Sequence, residues 1–194
     1  MQLFKHMALA ALAGLLAFNT LAASLEIQGV KLDDAAEVHG SRLQLNGAGT
    51  RYKGPFKVYV AGLYLGKKAG TPDEVVNQPG AKRLSITMLR DIDAAELGKL
   101  LTRGMEDNMG KSEMSKLIPG LIRMSQIFSE QKKMLAGDNF LIEWIPGTGS
   151  VITVKGQVQG EPFKEAEFFK ALMSIWLGPA QADWKLKDAL LGIK

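Results

Sequence analysis

Apolar and polar positions change their spacing repeatedly along this chain, and each change marks an element. A continuous apolar run, Met7 to Phe18, comes first. From Leu25 to Leu32 a loose alternation predicts a first strand. Arg42 to Leu45 alternates and leads into Asn46-Gly47, with His39-Gly40 as a turn between the two pieces. Phe56 to Leu65, FKVYVAGLYL, is apolar on both faces and rich in Val and Tyr, which predicts a central strand. Gly54-Pro55 is a turn before it, so residues 43–65 read as a hairpin. Thr71-Pro72-Asp73-Glu74 starts a short helix, with Thr as cap, Pro at the first position and acids in the first turn. Arg83 to Leu89 is a further strand.

Asp93-Ala94-Ala95-Glu96 is a capping box, and Leu97, Leu100 and Leu101 follow at helical spacing. A second helical stripe runs from Met114 to Phe128, and Pro119-Gly120 is expected to break it in two. Phe140 to Ile145 and Val151 to Lys155 flank the turn Pro146 to Gly149 as a second hairpin. Phe168, Phe169, Leu172, Met173 and Trp176 stripe a helix that Gly178-Pro179 stops, and Trp184 to Leu191 forms a last short helix. Hairpins dominate over strand–helix–strand crossovers, which predicts an α+β domain with one antiparallel sheet and helices on one face.

The apolar run at the start changes the picture of where the protein works. Lys5 before it, a short apolar stretch, and the small-residue exit Thr20-Leu21-Ala22 make a secretory signal, with cleavage expected after Ala22. The run falls short of the roughly 20 residues that span a bilayer. The expected organisation is a signal peptide at 1–22 and one domain at 23–194, exported, with the periplasm as its compartment. Removing the signal takes away Lys5 and no acid, so the formal charge of +4 falls by one, to +3. Charges are scattered, no basic stripe is present, and no nucleic-acid partner is implied. No second apolar run is long enough to span a membrane. With zero cysteines, thiol catalysis, thiolate metal sites and a lipid anchor on cysteine are excluded.

Few catalytic constellations survive a search. His39 is the one histidine beyond the signal and lies in a turn, so a metal site or a Ser-His-Asp triad has little to stand on. Gly47-Ala48-Gly49 begins like a dinucleotide fingerprint, but Tyr52 occupies the third glycine position and the segment leads into a hairpin. Gly110-Lys111-Ser112 ends like a phosphate loop, but Met105 stands where its first glycine is required. No metal or cofactor is expected. Glu106-Asp107 and Glu143 are expected at the surface. One polar pair is left in an apolar setting. Arg51 closes the segment LNGAGTR, and Tyr59 shares a face of the central strand with Ala61, Leu63 and Leu65. A buried tyrosine needs a partner for its hydroxyl, and an arginine grips a carboxylate with two parallel hydrogen bonds. By residue type alone, a surface arginine and a packed tyrosine account for them as well.

Residues 45–65, LNGAGTRYKGPFKVYVAGLYL, resemble the N-terminal signature of the chalcone-isomerase-like family. In the same order, MLRDID at 88–93, the turn Pro146 to Gly149, Phe168 to Gly178 and LKDALLG at 186–192 resemble later parts of it. The resemblance implies an open-faced β-sandwich, a large antiparallel sheet covered by a layer of helices with a ligand cleft between them. Family members are plant-type isomerases, fatty-acid binders that hold the acid with an arginine and a tyrosine, or non-catalytic proteins that assist other enzymes. Arg51 matches the arginine after the family's GAG signature. Tyr59 stands where the isomerases carry threonine and the fatty-acid binders carry tyrosine. The isomerases also use a tyrosine, a lysine and an asparagine near the following helix. The stretch 92–108 has no tyrosine, although Lys99 and Asn108 are present. Arg90 is a further polar candidate. The resemblance therefore implies a non-catalytic binder of a fatty-acid-like apolar carboxylate through Arg51 and Tyr59. The alternatives are an isomerase or lyase of an α,β-unsaturated carbonyl compound, in which Arg51 polarises the carbonyl, and a protein-interaction module with a vestigial pocket.

Overall fold

The computed structural model describes residues 24–193. The expected signal segment and its cleavage site lie outside them. Seven strands form one antiparallel sheet in the order β11-β10-β9-β6-β5-β4-β3. They are β3 (Ala35–Val38), β4 (Ser41–Lys53), β5 (Phe56–Leu65), β6 (Lys82–Met88), β9 (Asn139–Ile145), β10 (Gly149–Val154) and β11 (Gln157–Val158). Two ribbons stand beside it, β1 (Ser24–Ile27) with β2 (Val30–Asp33), and β7 (Ile92–Asp93) with β8 (Lys133–Met134). The helices are α1 (Pro72–Asn77), α2 (Ala94–Glu106), α3 (Lys111–Ser129), α4 (Ala166–Leu177) and α5 (Trp184–Leu190). The result is the expected α+β architecture, a large curled antiparallel sheet with a helical layer.

The main core lies between sheet and helices. Tyr59, Ala61, Leu63 and Leu65 of β5 and Leu84, Ile86 and Met88 of β6 point into it, every second residue, as the pleat requires. Phe168, Leu172 and Trp176 of α4 meet them from the other side. On the opposite sheet face a smaller cluster gathers Val38, Leu43, Tyr64 and Ile145. The β1–β2 hairpin covers part of that face, with Leu32 Cδ2 only 3.1 Å from where a Gly62 Cβ would stand. The stretch read as one strand at 25–32 is therefore a tight hairpin. Gln28 and Gly29 both take positive φ, 52° and 79°, the conformation that a two-residue reversal demands.

Two further expectations are corrected. Pro119 does not break α3, which runs unbroken from Lys111 to Ser129. The carbonyl that proline leaves without a donor belongs to Ser115, which is exposed to solvent. Gly120 meanwhile lets the helix lie against Phe168, whose Cε2 would be 2.7 Å from a Cβ there. Burial of Leu117, Leu121, Met124 and Phe128 offsets what the proline costs. Glu143, expected at the surface, is 8% exposed. It stands on β9 directly opposite Arg83 of β6, whose Nε donates to its Oε1 at 2.7 Å. Pairing with a guanidinium is what makes a buried carboxylate tolerable.

Candidate functional site

The LNGAGTR segment is built to hold a helix against the sheet. Asn46 is 5% exposed and sits at an irregularity of β4. Its Nδ2 donates to the Leu190 carbonyl at 2.7 Å, near the end of α5, and to the Ala69 carbonyl at 3.0 Å, while its Oδ1 accepts from the Ala69 N–H at 2.8 Å. Gly47 and Gly49 let α5 approach the strand. A Cβ on Gly47 would stand 2.1 Å from the Ala189 carbonyl oxygen, and one on Gly49 2.7 Å from the Ala189 Cβ. The glycine pattern that imitates a nucleotide fingerprint is thus a helix-docking groove. At the far end of the same helix, Asp183 caps its first turn, accepting from Lys185 N at 2.9 Å. Arg51 Nη1 lies 3.6 Å from the Asp183 carboxylate.

Across the ladder, Arg51 is the direct partner of Tyr59 on β5. Cross-strand partners stand about 5 Å apart at Cβ and share a face. The Tyr59 ring is buried, and its phenol oxygen accepts a hydrogen bond from Trp176 Nε1 of α4 at 2.8 Å. Burial pushes the phenol up to about 12, opposed in part by the Trp176 hydrogen bond and the Arg51 charge and reinforced by Asp183. At neutral pH the group is therefore an uncharged donor. Trp176 occupies a lone pair of the oxygen, and among the described residues no acceptor takes the phenol's own proton, which leaves it to a ligand.

Both residues line one cavity of about 320 Å³ between sheet and helices. Its walls are mainly apolar, with Val58, Ile92, Leu97, Leu101, Phe140 and Ile175 among them, and Lys53, Arg103 and Asp107 join Arg51 among its polar residues. The volume falls at the lower end of the range for small-molecule pockets, roughly 300–1,000 Å³. A wider groove of about 660 Å³ beside β4 is lined by Asp34, Arg42, Gln44 and Lys68, with no apolar enclosure comparable to the first.

The segment after α4 closes one wall of the cavity. Ala180, Gln181 and Ala182 line it. Asn108 staples this segment to the end of α2, donating to the Ala180 carbonyl at 3.0 Å and to the Gly104 carbonyl at 2.8 Å, and accepting from Ala180 N at 2.9 Å. Gly178 is required by the same contact, because a Cβ there would stand 2.2 Å from Asn108 Oδ1.

Arg51 and Tyr59 are thus brought together, and Asp107 joins them at the cavity wall, whereas Lys99, Asn108, Arg90, His39 and Glu106 are not among its lining residues. Lys99 lines a separate groove between α2 and α3. Asn108 is bound to Ala180, as described. Arg90 is exposed and lies over the Phe56 ring, 5.2 Å from its centroid. His39 is exposed in the turn between β3 and β4. Glu106 and Asp107 are exposed as expected, and Asp107 pairs loosely with Arg103 at 3.9 Å. Sequence reasoning missed Trp176 and Asp183 as members of the site. Asp183 had a readable signal, an aspartate at the start of a helix. Trp176 had none, since a tryptophan in an apolar helical stripe is normally core.

The sequence profile of the chalcone isomerase-like family matches residues 23–192. The chain belongs to the chalcone isomerase-like family. Its fold is also that of an Arabidopsis thaliana fatty-acid binding protein, whose crystal structure matches with a TM-score of 0.66, covering 87% of this chain and 96% of that one at 14% identity. No curated protein is significantly similar to the chain in sequence. Within this family member, the GAG signature has a physical role. It seats α5 on β4, and so sets Arg51 beside Asp183 and opposite Tyr59.

Proposed function

We propose that this chalcone isomerase-like protein binds an apolar carboxylate of the fatty-acid class and does not catalyse a reaction on it. One observation carries the reading. Arg51 and Tyr59, a cation and a neutral hydroxyl donor, stand side by side and line the same largely apolar cavity. The guanidinium offers a two-pronged grip to a carboxylate and the phenol adds a third donor, while the apolar walls take the hydrocarbon. The cavity's size favours a short or medium chain. The similar fold of a plant protein that binds fatty acids supports the same class of ligand. The proposal includes export, with residues 23–194 acting in the periplasm after removal of the first 22. Among the described residues no helix is long and apolar enough to cross a membrane.

The test is native mass spectrometry of the protein purified without detergent, followed by organic extraction. A bound species that extracts as a fatty acid supports the proposal. A charge-assisted hydrogen bond contributes about 1.5–3 kcal/mol, so Arg51→Ala is expected to weaken binding roughly 10- to 100-fold. Unchanged affinity in that variant removes Arg51 from the site. Protein that takes up no added fatty acid refutes the proposal, and cyclisation of an added chalcone above the uncatalysed rate replaces it with an isomerase.

A further inference from the structure

Arg51 and Asp183 are held in different ways. The Asp183 carboxylate is anchored by backbone from two elements. Its Oδ2 accepts from Tyr52 N at 2.9 Å, and its Oδ1 accepts from Lys185 N at 2.9 Å and Leu186 N at 3.4 Å. Its side chain is 9% exposed. Arg51 is attached more loosely, since 3.6 Å between Nη1 and Oδ2 is beyond the normal N–H···O range. Charge draws the guanidinium towards Asp183, yet its donors are not consumed there. A ligand can therefore turn the arginine towards itself, whereas the aspartate stays where the β4 backbone and the α5 cap fix it.

We propose that Asp183 sets the charge preference of this cavity: a fixed internal anion that positions Arg51 and, by repelling a carboxylate that shares the same guanidinium, holds the affinity for acids down to a reversible level. The proposal rests on the reading of Arg51 and Tyr59 as headgroup residues. Its physical basis is that two like charges a few ångströms apart in a partly desolvated mouth repel appreciably, while a neutral headgroup feels no such penalty. Asp183 acts through Arg51 and through the field at the mouth, so it is a positioning residue.

The experiment is calorimetric titration of the full mature protein with decanoic acid and with 1-decanol at neutral pH. Wild type is compared with Asp183→Asn and Asp183→Ser. Both substitutes are competent helix caps, and serine avoids placing an amide donor against the Tyr52 N–H. The expected result is a preference for acid over alcohol that rises roughly tenfold in both variants, with alcohol affinity nearly unchanged. A purely structural role would lower both affinities together and leave their ratio alone. An unchanged or reduced ratio in both variants overturns the proposal. A wild type that binds acid and alcohol equally, with Arg51→Ala harmless, overturns the headgroup reading itself and this inference with it. The two failures are thus distinguishable.

Discussion

Replacing Tyr59 by Phe tests the hinge between sheet and helix layer, and its effect can be worked out from the contacts. The ring stays, so packing is retained. The phenol oxygen is lost, and the indole N–H of Trp176, 1% exposed, loses the acceptor it holds at 2.8 Å. A buried donor left without a partner costs about 1–3 kcal/mol. Trp176→Phe removes the donor instead. It also deletes part of a large buried side chain, so it is expected to cost more, about 2–4 kcal/mol. If the hydrogen bond is what links the two residues, the double variant is less destabilised than the sum of the singles by about 1 kcal/mol. The assay is urea unfolding of all four proteins, with tryptophan fluorescence and circular dichroism as independent probes. Additivity within experimental error would refute the claim that the bond couples β5 to α4. In ligand titrations, Tyr59→Phe alone is expected to weaken carboxylate binding roughly 10-fold or more, the worth of one hydrogen bond to a charged group of about 1.5–3 kcal/mol.

Other outcomes follow from the same geometry. Tyr59 has its pKa raised from 10.0 to about 12, so the folded state keeps a proton that the unfolded chain gives up. Its contribution is fully present below pH 10 and is lost as pH rises to about 12. The stability difference between wild type and Tyr59→Phe should therefore shrink over that window, and a constant difference in alkaline urea titrations would contradict it. Gly47→Ala places a Cβ against the Ala189 carbonyl oxygen, which is backbone and yields only if α5 moves. A loss of more than about 2 kcal/mol in urea unfolding is expected, together with weaker ligand binding, and a near-neutral variant would show that α5 docks more loosely than described. Asn108→Ala frees the Gly178–Ala182 wall. Faster amide hydrogen exchange at Ala180 with little change in global stability is the expected result, and unchanged exchange would remove Asn108 from that role.

What the sequence determined by itself is local. Spacing and turn chemistry identified β5, β6, the β9–β10 hairpin, the Thr71 and Asp93 caps and the stop at Gly178, because these depend on residues within one or two turns of each other. The hairpin joining β4 and β5 was legible for the same reason, but its register was not: an irregularity between Arg51 and Tyr52 accompanies the placement of Arg51 opposite Tyr59. Tertiary structure decided the rest. It kept α3 whole through Pro119, because Ser115, whose carbonyl loses its donor, is exposed and Gly120 packs on Phe168. It buried Glu143 because Arg83 lies across the ladder, 60 positions away in sequence. It drew Trp176, 117 positions from Tyr59, onto the phenol oxygen. It also turned an ordinary helix cap, Asp183, into the counter-ion of Arg51. No periodicity carries such information. Contacts between distant segments depend on how helices seat on a sheet, and that seating is set by small details such as a missing Cβ at Gly47.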